Sequence, residues 1–102
     1  MKYQRTERFD QEYGRLSDRQ KALFSQAVRT INQAYATRGS QALPQWPASL
    51  RIRHMADTSG VFEMTWSFAG PDGRATFEYI TIDGEPAILW RRIGDHGIFR
   101  DP

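Results

Sequence analysis

The sequence predicts an α+β fold: two N-terminal helices packed on one face of a twisted antiparallel sheet of about four strands. Three observations carry this. Apolar residues in the first third of the chain recur at helical spacing. From Leu50 onward the period changes to two, the mark of strands with one apolar and one polar face. Short turn signals join the later period-two segments, so consecutive strands lie side by side under the helices.

Phe9, Tyr13 and Leu16 set a short first helix over roughly residues 6–15, which Gly14 and Ser17 break. Ser17-Asp18-Arg19-Gln20 reads as a capping box, with Ser17 capping and Gln20 reaching back. Behind it Phe24, Ala27, Val28, Ile31, Ala34 and Tyr35 form the apolar stripe of a second helix. It ends near Arg38-Gly39, where Gly39 suits a left-handed cap. Residues 39–49 hold Gly39, Pro44 and Pro47 and form a loop, with Leu43 and Trp46 expected to pin it to the body. Leu50 and Ile52 then alternate with Arg51 and Arg53. Phe62, Met64, Trp66 and Phe68 alternate with Glu63, Thr65 and Ser67. Ala75, Phe77 and Tyr79 alternate with Arg74, Thr76 and Glu78. Gly70-Pro71-Asp72-Gly73 marks one turn, and Asp83-Gly84 starts another into a last strand, Ala87 to Ile93.

A chain of 102 residues makes one domain, 1–102, with no repeat or linker. Its 3 Trp, 4 Tyr and 6 Phe supply enough buried area to argue against disorder. The absence of cysteine excludes disulfides and thiolate zinc sites, and two histidines alone give little support to a metal; no metal or other cofactor is expected. Met1-Lys2-Tyr3-Gln4-Arg5 contains no apolar signal region, and no apolar run nears the roughly 20 residues of a membrane helix. A cytoplasmic location and no membrane partner are therefore expected. The net charge of +2 permits an anionic partner without requiring one. The face away from the helices carries Arg51, Arg53, Glu63, Thr65, Thr76 and Glu78, and taken singly each of these charges reads as part of a solvated outer face with cross-strand ion pairs.

Three segments resemble the RelE/ParE superfamily of type II toxin–antitoxin modules. Leu50-Arg51-Ile52-Arg53 is similar to the family's basic second strand, and Gly60-Val61-Phe62-Glu63-Met64-Thr65-Trp66 to its Gly-led third strand. Trp90-Arg91-Arg92-Ile93-Gly94-Asp95-His96-Gly97-Ile98-Phe99 resembles the closing strand, which commonly ends in Arg-x-Gly-x-His with an aromatic a few residues on. The ending is most similar to the histidine-using, YafQ-like branch of ribosome-dependent mRNA nucleases. Arg92, Gly94, His96 and Phe99 are the points of match, with His54 and Asp57 standing where that branch has a second histidine and an aspartate.

The resemblance implies a toxin that cleaves mRNA on the ribosome and is neutralised by a cognate antitoxin. Metal-free RNA cleavage needs a base for the 2′-hydroxyl, an acid for the leaving oxygen and cations for the phosphorane. In this reading His96 transfers the proton, with His54 as a second acid or base oriented by Asp57. Arg92 and Arg53 hold the scissile phosphate, Arg51 holds a flanking one, and Phe99 or Trp90 stacks a base. Other readings stay open. His96 also suits a turn hydrogen bond, His54 an exposed bystander, and Trp90 the core or its rim. Adjacent Arg91 and Arg92 are expected on opposite faces, one of them salt-bridged to Asp10 or Glu12. Glu63 and Glu78 read as partners for Arg51, Arg53 or Arg74. The competing functions are a ParE-like inhibitor of DNA gyrase and a non-toxic interaction module.

Overall fold

Side-chain caps fix where both helices begin. In the computed structural model, which describes residues 1–66, 73–94 and 101–102, Thr6 accepts from the Phe9 amide at 3.0 Å and starts α1, Glu7–Gly14. The expected capping box is present: Ser17 Oγ accepts from the Gln20 amide at 3.1 Å, and Gln20 Oε1 accepts from the Ser17 amide at 2.9 Å. It opens α2, Asp18–Ala36, and Gly39 beyond its end takes the left-handed conformation at φ 70°.

The sheet has five strands: β1 (Lys2–Arg5), β2 (Arg53–His54), β3 (Phe62–Thr65), β4 (Arg74–Ile82) and β5 (Glu85–Gly94), in the order β1-β5-β4-β3-β2. Two expectations are corrected here. The sheet is mixed, because β1 pairs parallel to β5 with Lys2 opposite Ala87 and Arg5 opposite Trp90. Every residue of Lys2–Arg5 is exposed and the segment shows no apolar alternation, so its strand state comes from a partner far along the chain. The strand foreseen from Leu50 is also shorter. Ala48–Leu50 is a 3₁₀ turn closed by Arg51 in the left-handed region at φ 49°, and pairing begins only at Arg53. Asp83 and Gly84, at φ 52° and 78°, form the two-residue turn between β4 and β5. Ser67, Phe68, Gly70, Pro71, Asp72, His96 and Phe99, all named in the sequence reading, lie outside the described residues.

One buried cluster joins Phe9 of α1 and Phe24, Ala27 and Ile31 of α2 to Met64, Ala75, Phe77, Ile88, Trp90 and Ile93 of the sheet. The Trp90 ring centre lies 5.9 Å from Phe9, 5.2 Å from Phe24 and 5.4 Å from Phe77. Trp90 and Ile93 are both buried although three residues apart, which strict alternation forbids. A bulge resolves this. Thr76 pairs with Arg92 and Phe77 with Trp90, so Arg91 is an extra residue in β5. Thr6 fastens α1 at that point, its amide bonding Trp90 O at 3.0 Å and its hydroxyl donating to Arg91 O at 2.7 Å.

Candidate nucleic-acid interface

Strand register sets the site. Arg53 stands opposite Glu63, Glu63 opposite Thr76, and Thr76 opposite Arg92, one row across β2, β3, β4 and β5. The row spans three strand spacings, roughly 14 Å. It lies on the face opposite Met64, Ala75 and Phe77, because neighbours along a strand alternate. Arg53 and Arg92, both expected to hold phosphate, thus share one row.

This face is not left to solvent as expected. Glu63, Thr65, Arg74 and Thr76 are all under 10 % exposed. Burial on that scale requires partners, since an unpaired polar group in the interior costs a few kcal/mol. Glu63 accepts from Arg53 Nε, and Arg74 Nη1 donates to Thr65 Oγ1 at 2.7 Å. Arg91 Nη1 donates to Glu78 Oε2 at 2.6 Å. Arg92 forks onto Glu12 of α1, Nε to Oε1 at 3.1 Å and Nη2 to Oε2 at 2.5 Å. That carboxylate stabilises the Arg92 cation and raises its pKa further above the ordinary value. The bulge also breaks the expected opposition of the two arginines. Arg91 Nε reaches Pro102 O at 3.1 Å and Arg92 Nη1 reaches Asp101 O at 2.9 Å, so both turn to the same short segment.

The other candidates are dispersed. His54 pairs with Phe62 and sets its ring 5.4 Å from that side chain, whose own ring lies 5.8 Å from Phe77. Alternation therefore puts His54 on the opposite side of the sheet from Arg53. Asp57 is exposed at φ 60° in the turn after β2, and no hydrogen bond joins it to His54. Arg51 is exposed at the end of the 3₁₀ turn. Trp90 is 4 % exposed and takes the core position. His96 and Phe99 follow β5 outside the described residues. Among the described residues no group of three or more His, Asp or Glu side chains is placed to hold a metal ion, and no helix is long and apolar enough to cross a membrane.

Four residues of this region, Arg8, Glu12, Thr76 and Arg91, were not singled out by sequence as site residues. Arg8 and Glu12 sit one helical turn apart on α1, and i, i+4 spacing on a helix beside a basic strand is the signal that points to them. No protein-family model matches the chain, and neither the curated proteins nor the solved structures searched contain a match.

Proposed function

We propose that the protein is a RelE/ParE-type toxin that cleaves mRNA on the ribosome and is held inactive by a cognate antitoxin. The observation that carries this reading is the row Arg53–Glu63–Thr76–Arg92, with Arg91 beside it, on the face of a sheet whose last strand is followed in the sequence, two residues on, by His96. Guanidinium groups suit a backbone phosphate because their planar fork donates paired hydrogen bonds to its oxygens.

In the reaction, the 2′-oxygen bonds to phosphorus while the bond to the 5′-oxygen breaks. The base takes the 2′-hydroxyl proton, the acid gives one to the 5′-oxygen, and the products are a 2′,3′-cyclic phosphate and a 5′-hydroxyl. His96 is the assigned proton-transfer residue, its unperturbed pKa lying near neutrality. Arg92 and Arg53 offset the charge that develops on the phosphorane. His54 stands on the other side of the sheet from Arg53, which moves the weight of the assignment to His96.

A second reading has its own support. Arg53, Arg91 and Arg92 already hold Glu63, Glu78 and Glu12, and so partly neutral a face suits a protein partner, as for a ParE-like gyrase inhibitor or a non-toxic interaction module. The deciding experiment is induction of the protein alone, scoring growth, protein synthesis and DNA supercoiling, with His96→Ala in parallel. Translation arrest that His96→Ala relieves is the expected result. Loss of supercoiling with translation initially intact gives the gyrase reading. Normal growth with abundant folded protein gives the interaction module.

A further inference from the structure

Asp101 and Pro102 rest in a cluster of donors drawn from three elements. Arg8 Nη1 of α1 donates to Asp101 Oδ2 at 2.7 Å, and Arg92 Nη1 of β5 to Asp101 O at 2.9 Å. Arg91 Nε of β5 and Thr76 Oγ1 of β4 both donate to Pro102 O, at 3.1 and 3.0 Å. Four donors, three of them on guanidinium groups, thus converge on the oxygens of two adjacent residues.

Among the described residues, three side-chain cations at that spot, Arg8, Arg91 and Arg92, pair with three carboxylates, Asp101, Glu78 and Glu12. The carboxylates are not held alike. The side chains of Glu12 and Glu78 are 15 % and 34 % exposed, whereas that of Asp101 is 73 % exposed. An ion pair so open to water holds weakly, so Asp101 is the carboxylate that leaves at least cost. Departure of Asp101 together with Pro102 leaves these described groups with one excess positive charge and frees four donors of their present acceptors, two on Asp101 and two on Pro102. A phosphodiester carries one negative charge, as the Asp101 carboxylate does, and two non-bridging oxygens, and a charged oxygen accepts more strongly than the two backbone oxygens, Asp101 O and Pro102 O, that hold the other three donors. The field at the spot already favours an anion: the Arg8 hydrogen bond first, then the charges of Arg8, Arg92 and Arg91, hold the Asp101 carboxyl below its ordinary pKa.

We propose that Arg8, Thr76, Arg91 and Arg92 form a phosphodiester-binding cradle for single-stranded RNA, and that Asp101–Pro102 occupies it as an intramolecular competitor. The choice of RNA rests on the nuclease reading; the cradle and its competitor rest on the contacts alone. A tethered occupant lowers the apparent affinity of any ligand by the fraction of time the site stands open. The segment therefore sets the RNA affinity of the resting protein, and Arg8 belongs to the phosphate contacts although it lies on a helix remote in sequence from the basic strands.

The test is fluorescence anisotropy of the full chain with a short labelled single-stranded RNA, without ribosomes, across a salt series. Asp101→Ala is expected to tighten binding by about 5- to 10-fold. Adding Arg8→Gln to that variant is expected to cancel the gain and to reduce the slope of log affinity against log salt by about one. Positions 8 and 101 are both exposed, so folding is retained, and matching thermal melts check it. Inorganic phosphate at equal ionic strength distinguishes the sources of the phosphate group. Displacement of RNA by millimolar excess supports a phosphodiester subsite, whereas phosphate binding without any RNA binding overturns the RNA assignment. An Asp101→Ala protein that binds RNA no tighter than the parent, or a gain that survives Arg8→Gln, overturns the cradle. Neither result depends on toxicity: a non-toxic protein can pass this test, and a toxin indifferent to Asp101 fails it while its own assignment stands.

Discussion

On one face of β3 and β4, Met64, Ala75 and Phe77 are closed off by aromatic rings; on the other, Glu63, Thr65, Arg74 and Thr76 are buried almost as completely by partners that donate or accept hydrogen bonds. The apolar face is held by contact area, which is non-directional and tolerates modest changes of shape. The polar face is held by directed pairs, and removing one member strands the other without water. One sheet thus combines a face closed by apolar contact with a face closed by paired polar groups. The arginine donors lie on the second face, which is why the candidate site lies there. The difference also predicts distinct responses to substitution.

The largest effect is expected at the centre of the ring cluster. Phe77 has no exposed surface and sets its ring 5.8 Å from Phe62, 5.4 Å from Tyr79 and 5.4 Å from Trp90. Phe77→Ala removes apolar burial and leaves a cavity among rings too large to collapse into it, a loss of about 3–5 kcal/mol. Urea unfolding monitored by tryptophan fluorescence measures it. A loss below about 1 kcal/mol would show that the ring face relaxes as freely as a surface and would remove its contrast with the polar face.

These two faces were not equally legible in the sequence. α2 was readable because its signals are local: a Ser and a Gln three residues apart, then an apolar stripe at helical period. The β4–β5 turn was readable because Asp-Gly supplies two residues that accept positive φ. β1 was not, since Lys2-Tyr3-Gln4-Arg5 becomes a strand only by pairing with residues 87–90. At Arg51 the alternation of arginines with Leu50 and Ile52 read as a strand, but Leu50 is buried from a 3₁₀ turn and a left-handed residue then redirects the chain. The site suffered most from the bulge. One extra residue in β5 brings two adjacent arginines, expected on opposite faces, to the same segment, and no composition rule announces it. The ion pair to Glu12 was among the open alternatives, and the acidic partner of Arg53 was foreseen in Glu63; Glu78, expected to pair with Arg51, Arg53 or Arg74, bonds instead to Arg91, the bulged residue itself.

An intermediate effect is expected where the polar face meets α1. The side chains of Arg92 and Glu12 are each 15 % exposed and bonded through two N–H···O contacts, so their pairing is mostly shielded from water. Glu12→Gln is expected to cost about 1.5–3 kcal/mol, since it weakens both charge-assisted bonds and leaves a shielded cation. A double-mutant cycle with Arg92→Gln separates this pairing from the loss of either side chain alone. The expected coupling is about 1–2 kcal/mol, and a value under about 0.5 would place the pair with ordinary surface ion pairs.

The smallest effect falls at Tyr79, whose ring belongs to the apolar face and whose hydroxyl accepts from Trp46 Nε1 at 2.8 Å, pinning the proline-containing loop as the sequence suggested for Trp46. Tyr79→Phe keeps the ring contacts and removes one hydrogen bond, an expected loss of about 1 kcal/mol near neutral pH. Its pH dependence is more telling than its size. Burial raises the Tyr79 pKa above the ordinary 10.0, against a smaller opposing pull from the Trp46 hydrogen bond. Above pH 10.0 the unfolded chain therefore gives up this proton while the folded chain keeps it. The contribution is intact below that pH and falls as pH rises toward the folded value, because the unfolded state then binds fewer protons. The stability gap between the parent protein and Tyr79→Phe is expected to narrow above pH 10.0 and to stay constant below it. Urea unfolding of both proteins on either side of that pH measures the gap. A gap that widens with alkali would mean that the phenolate is favoured in the folded state, so that a polar environment rather than the ring cluster governs this hydroxyl.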